Sequence, residues 1–309
     1  MWLSRGRVVN ARSVQHIHSI NRDIHTEHLP ESLHGLRITH LSDLHIGHLH
    51  LPDLLPGIVD RCNRFEADVI AVTGDLVDLS LEPLDKVIEA MKHLTAPLGV
   101  YFVAGNHDKL LDGRRFAARM RQAGLKLLHN ETTMVRARGC RIAIAGIDFE
   151  RRRRALGQVV GDTLNRDPDF QGADLRLLLA HHPDAFEAAA RHGVDLTLSG
   201  HTHGGQVMLS NQRGKKGSIG LGSMTYRYPH GLYRRGHYHL HVTSGTGTWF
   251  PMRLKCPAEV ACLTLQCRSD SGEAKSEGRR AQSNGRRSKR IERRGKNVTY
   301  HVSHESIGS

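Results

Sequence analysis

Five apolar runs in this chain end the same way, on side chains of the kind that hold metal ions. Arg37-Ile38-Thr39-His40-Leu41-Ser42 runs into Asp43-Leu44-His45, and Asp68-Val69-Ile70-Ala71-Val72-Thr73 into Gly74-Asp75. Val100 to Ala104 closes on Gly105-Asn106-His107-Asp108, Leu175 to Ala180 on His181, and Val194 to Leu198 on Ser199-Gly200-His201-Thr202-His203. Short runs with so little polar alternation read as strands buried on both faces. Between them, Leu54, Leu55, Ile58, Val59 and Cys62 fall at helical spacing, which predicts a helix over 52–65 with Pro52 tolerated in its first turn. Further helices are expected over 82–94, 114–123 and 184–191, and further strands near 133–135, 141–147, 237–242 and 259–265. Strands alternating with helices give a largely buried sheet system, and the loops at the strands' carboxyl ends meet along one edge. The ligand-type side chains should converge there. His201 and His203, one residue apart after a glycine, can be aimed at two neighbouring points, as a pair of metal ions requires.

The order Asp-x-His, Gly-Asp, Gly-Asn-His-Asp, His, Gly-His-x-His resembles the calcineurin-like metallophosphoesterase superfamily over roughly residues 36 to 266. Leu41-Ser42-Asp43-Leu44-His45, Gly200 to Gln206, Ser244 to Trp249 and Pro257 to Val260 are similar to its YkuE/YaeI-like branch. The resemblance implies an α/β fold, a four-layer αββα sandwich of two mixed β-sheets flanked by helices. It also implies one metal on Asp43, His45 and His203, another on Asn106, His181 and His201, and Asp75 bridging both. Nitrogen and oxygen donors of this mix suit Mn²⁺, Zn²⁺ or Fe. Two such ions polarise a phosphoryl oxygen and supply a bridging hydroxide for in-line attack on a phosphodiester or pyrophosphate. His107 would stabilise the developing charge or protonate the leaving oxygen, with Asp108 or Asp43 orienting it. Some relatives in this branch act on lipid-linked UDP-diacylglucosamine, which makes a nucleotide-sugar or lipid precursor one expected substrate. The branch normally opens with a membrane or export segment, and the first 35 residues here carry no such apolar run. Val103-Ala104 stands where serine/threonine protein phosphatases place an arginine, which disfavours that activity.

The formal charge of +13 suits an anionic partner, whether phosphorylated substrate, membrane face or nucleic acid. Much of it sits after residue 267, where eleven Lys or Arg face five Asp or Glu, a net +6. With almost no apolar residues, 268–309 reads as a disordered basic tail, 36–267 as the catalytic domain, and 1–35 as a lead-in arm or short edge strand. The tail suits weak membrane or nucleic-acid contact, and a metal-dependent nuclease is the first alternative. Aromatic residues make up only 5% of the chain, with no stacking platform among the basic patches, which weighs against it. A metal-binding protein without turnover is the second alternative. No obligate protein partner is evident.

Five cysteines with no Cys-x-x-Cys pair argue against a disulfide framework and for a reducing, cytoplasmic setting, with peripheral membrane contact as an option. Cys62 and Cys140 read as buried thiols. His16, His18, His25, His28 and His34 read as solvated surface, Asp148 as a turn residue, and His182 as structural. Arg151 to Arg154 reads as a solvated loop face, with a clamp for acidic substrate as the functional alternative. The segment 211–235 reads as a loop bordering the cleft. Phe149 occupies a position that is often acidic in such proteins.

Overall fold

In the computed structural model, which describes residues 17–47, 52–205, 226–248, 253 and 256–267, two six-stranded sheets lie face to face. β1 (His18–Thr26), β2 (Leu36–Leu41), β3 (Val69–Val72), β4 (Val100–Phe102) and β5 (Lys126–Leu127) belong to the first. The second contains β6 (Glu131–Ala137), β7 (Cys140–Ile147), β8 (Leu175–Ala180), β9 (Leu196–Ser199), β10 (Gly231–Arg235) and β11 (Tyr238–Val242). β12 (Glu259–Cys267) then returns to the first sheet, whose order is β1-β12-β2-β3-β4-β5; the second runs β10-β11-β9-β8-β7-β6. Both sheets are mixed. β2 to β5 are parallel to one another, as are β7, β8, β9 and β11, while β12 against β2, β6 against β7 and β10 against β11 are antiparallel.

Period-two alternation sorts each strand's residues between two layers. Val69 and Ala71 join Ile142, Ile144, Leu177, Leu179, Leu196 and Leu198 in the core between the sheets. Ile70 and Val72 point the other way, against α1 (Leu55–Arg64) and α2 (Leu84–Met91) through Ile58, Val59, Cys62, Val87 and Met91. Past the short α3 (Asn106–Lys109), α4 (Gly113–Gln122) adds Phe116 and Met120 to that layer. On the far side, α5 (Arg153–Arg166), α6 (Pro168–Gln171) and α7 (Phe186–Arg191) cover Ala143, Ala145 and Leu178. The result is the expected four-layer αββα sandwich.

Three differences from the sequence reading have physical causes. Arg153 and Arg154 begin α5, a helix the sequence reading did not place; Leu156, Val160 and Leu164 form its buried stripe at four-residue spacing, masked by the arginine run and by Gly157 and Gly161. Within the expected loop 211–235, residues 231–235 are β10, a strand defined by pairing with β11; residues 206–225 lie outside the described residues. Cys140 is half-buried, its Sγ 3.0 Å from Ser32 Oγ at a sheet edge, while Cys62 is buried as expected. Residues 18–26 form the edge strand β1, one of the two expected readings of the lead-in segment, paired with β12 along its whole length. His18, His25, His28 and His34 are exposed. The basic segment 268–309, His16 and Gln206 lie outside the described residues. Among the described residues no helix is long and apolar enough to cross a membrane.

Candidate metal centre

The loops that leave β2, β3, β4, β8 and β9 meet at one edge of the sandwich, and the strand ladder continues into them. The Asp43 amide donates to Gly74 O at 2.9 Å and the His45 amide to Asp75 O at 3.0 Å, so the first two ligand loops are stitched together. Asp43, His45, Asp75, His201 and His203 all have left-handed backbones, with φ between 47° and 70°. For residues with a Cβ this costs roughly 1–2 kcal/mol each, so the surrounding bonds must over-determine it. Behind Asp43, Gly247 donates to Asp43 O at 2.6 Å and Thr246 to Ser42 O at 3.1 Å. Arg253 ties that glycine loop down through Ser244 O at 2.8 Å. Sequence reasoning quoted Ser244 to Thr248 for its resemblance and missed this backing role; Gly245 and Gly247, pressed against Asp43 and Leu44, were the available signal.

All seven expected ligands come together in two groups. In the first, His203 Nε2 lies 3.0 Å from His45 Nε2 and 3.3 Å from Asp43 Oδ1. In the second, His201 Nδ1 lies 2.8 Å from Asn106 Oδ1 and 3.2 Å from His181 Nε2, and the last two atoms are 3.1 Å apart. Asp75 Oδ2 belongs to both, 3.5 Å from His45 Nε2 and 3.2 Å from His181 Nε2. Donors about 2.1 Å from a tetrahedral cation stand about 3.4 Å from one another, so these separations fit ligand polyhedra. The donor chemistry fits as well. His181 Nδ1 faces Thr73 O at 2.7 Å and is the donor there, so in the neutral ring Nε2 is a bare lone pair facing two oxygens. A proton held there without metal, or a cation in its place, resolves that repulsion.

The electrostatics carry the same message. Burial alone would raise Asp75, but the charge and hydrogen bond of His181, with His45 and His107, hold it well below the usual carboxylate range. Burial lowers His181, yet the charges of Asp75 and Asp43 outweigh it and raise the ring to about 9 in the absence of metal. Burial lowers His201 and His203, reinforced by neighbouring imidazoles, so both rings are neutral with a nitrogen available for coordination.

His107 sits at the mouth of the site, its side chain 21% exposed, on the one-turn α3. Its amide donates to Asp75 Oδ1 at 2.8 Å. The acid beside its ring is Asp78, whose Oδ1 stands 3.1 Å from His107 Nδ1 and 3.5 Å from His45 Nδ1. Sequence reasoning missed Asp78; a second acid three residues beyond Asp75 in the same strand-end loop was the signal. Asp108, expected to orient His107, is fully buried and instead accepts from Leu76 N at 2.8 Å, Gly105 N at 2.9 Å and Val77 N at 3.2 Å. It locks the β3 loop to the β4 loop, and burial with the charge of Asp75 pushes it up to about 7. Asp43, the other expected orienter, faces His203 and the His201 amide. His182 accepts from Asp184 N at 3.2 Å and stacks on His201, its ring 4.8 Å away. Asp148 receives Lys109, and Phe149 lies 5.6 Å from the His201 ring. Arg153 pairs with Asp184 at 2.8 Å.

Comparison with known proteins bears on the family of the chain. The profile of the calcineurin-like phosphoesterase family matches residues 36–205. An uncharacterized metallophosphoesterase of Helicobacter pylori is 30% identical over 233 residues, 74% of this chain and 60% of that protein. The transmembrane protein with metallophosphoesterase domain of Danio rerio is 33% identical over 259 residues, 80% of this chain and 57% of its own length. The metallophosphoesterase YkuE of Bacillus subtilis is 29% identical over 262 residues, 81% of this chain and 86% of YkuE. This chain therefore spans about 60% of the length of the Helicobacter relative.

Proposed function

The chain belongs to the calcineurin-like phosphoesterase family, and from that premise we propose that it hydrolyses a phosphodiester or pyrophosphate bond at the centre described above. The observation that carries this reading is the shared carboxylate: Asp75 Oδ2 stands within reach of both histidine groups, so one oxygen can serve two cations. Asp43, His45 and His203 would hold one, and Asn106, His181 and His201 the other, with manganese, zinc or iron the ions this donor set suits. When bound, such a pair supplies Lewis acidity toward a phosphoryl oxygen and an acidified water as nucleophile.

The chain's own residues supply positioning and proton handling. Asp78 Oδ1 stands 3.1 Å from Nδ1, placed to orient the His107 ring so that Nε2 is the nitrogen presented to the leaving oxygen. Asp78 also stands beside His45 Nδ1, so one carboxylate orients both the leaving-group histidine and a ligand histidine. Asp108 keeps the two loops in register through three backbone amides.

A lipid-linked phosphoester is a narrower reading with its own support. The exposed large hydrophobic residues among those described are Leu79, Leu110 and Leu111. Leu79 follows Asp78, and the Leu110 amide donates to His107 O at 3.1 Å, so all three belong to the segments that carry Asp78 and His107. The five free thiols suit a reducing, cytoplasmic compartment.

Hydrolysis of bis-p-nitrophenyl phosphate by the full chain tests the proposal. Turnover is expected with Mn²⁺, lost on chelation and restored by Mn²⁺. His107→Ala and Asp78→Asn should lower kcat, the former by roughly 10²–10⁴-fold, with bound metal retained. Turnover in His107→Ala equal to that of the unaltered chain would refute the assignment.

A further inference from the structure

We propose that Glu27, His28 and His237 form a second site for a divalent transition-metal ion of the zinc class, away from the hydrolytic centre, clipping the edge of one sheet to the edge of the other. β1 is the edge strand of the first sheet, and Glu27 and His28 follow its last residue. β10 is the edge strand of the second sheet, and it pairs Arg235 with Tyr238, leaving Gly236-His237 as a two-residue hairpin turn. Gly236 has φ 60°, as the first central position of such a turn requires. His237 is thus held at the tip of the hairpin, against the end of β1.

The side chains meet there. Glu27 Oε2 contacts His237 Nδ1, and the rings of His28 and His237 lie 4.5 Å apart. One ligand atom from each of the three residues falls within 4.8 Å of the others. Arg234 takes the opposite oxygen, Oε1, and so fixes the carboxylate with Oε2 toward His237. A second observation points to a ligand. His239 projects from β11 two residues beyond His237 and is 4% exposed, yet its Nδ1 has no hydrogen-bond partner. β10 pairs Arg234, the residue that holds Glu27, with His239, so this ring lies beside the cluster. A buried imidazole nitrogen is costly to leave unpaired, and a water on a bound ion would pair it. Two imidazoles and a carboxylate are a zinc-type donor set. All these residues lie outside the segment 36–205 that matches the family, so the cluster is separate from the centre that family shares.

The test is zinc stoichiometry of the full chain. Metal-free protein is dialysed against Zn²⁺ and its bound zinc counted by elemental analysis, beside His28→Ala/His237→Ala and, separately, Glu27→Gln. The His237 side chain is 49% exposed, and turnover of bis-p-nitrophenyl phosphate reports that each variant is folded. The unaltered chain is expected to hold one more zinc per molecule than either variant. It should also gain about 5 °C more in Tm at zinc a hundredfold above Kd, because the ion joins two sheet edges. Equal zinc content in the unaltered chain and the double variant overturns the proposal, as does a zinc-induced Tm shift that the variants share in full.

Discussion

Gly105→Ala isolates the space around the shared carboxylate from every other effect. Gly105 has φ −93° and ψ −174°, an extended backbone that alanine adopts freely, so no conformational strain enters. A Cβ there would lie 2.7 Å from Asp75 Cγ, with Asp75 Oδ1 and the Asp75 amide nitrogen closer still. Carbon atoms in contact prefer about 3.5–4.0 Å, so Asp75 must retreat by about 1 Å. That carboxylate is the one atom group shared by the two histidine sets, at 3.5 and 3.2 Å. Misplacement of this size costs about 10²-fold in rate, and overpacking about 1–3 kcal/mol in stability. Gly157→Ala in α5 is the control, since its Cβ would meet Arg191 Nη2 at 3.8 Å and Ala188 Cβ at 3.9 Å, ordinary contacts. It should leave activity unchanged and stabilise by about 0.5–1 kcal/mol. The assays are turnover of bis-p-nitrophenyl phosphate at saturating Mn²⁺, bound manganese per chain, and Tm. A Gly105→Ala protein with unaltered turnover and metal content would refute the reasoning.

Two further outcomes are expected. Burial lowers His40 to about 3, with Glu259 opposing, and the folded state therefore holds the ring neutral. Its folded pKa lies below the ordinary 6.5, so its contribution is complete above pH 6.5 and is lost as pH falls toward 3, on the order of a few kcal/mol. Urea midpoints measured across that window should fall less steeply for His40→Gln, and parallel slopes would count against the argument. Replacing Leu79, Leu110 and Leu111 together with serine should raise KM for a long-chain phosphodiester by roughly tenfold or more, from lost apolar contact, without changing turnover of bis-p-nitrophenyl phosphate. An equal effect on both substrates would remove these leucines from substrate recognition.

Much of the layer order was legible because the buried parallel strands are nearly continuous apolar runs and α1, α2 and α4 carry clear stripes. The seven candidate ligands were legible for the same reason: each stands just beyond a run whose end is easy to see. α5 was hidden because its buried stripe of Leu156, Val160 and Leu164 is diluted by two glycines and preceded by four arginines. β10 was hidden because an edge strand of mixed polarity is defined by its partner and not by its own pattern. The role given to Asp108 failed on a contact that no spacing reveals. A carboxylate one residue from His107 is turned inward by α3, while Asp78, almost thirty residues earlier, is brought to the imidazole.

Sequence alone determined which residues could act as donors and that they end consecutive strands, because apolar continuity and residue chemistry are properties of short segments. Tertiary structure decided which donors stand together, which acid faces His107, and that Glu27, His28 and His237 meet at the sheet edges. The grouping of the donors at the strand ends rests on left-handed backbones at Asp43, His45, Asp75, His201 and His203, a conformation uncommon for any residue but glycine. They persist because hydrogen bonds from other loops hold them. The information lies in packing between segments that are far apart in the chain.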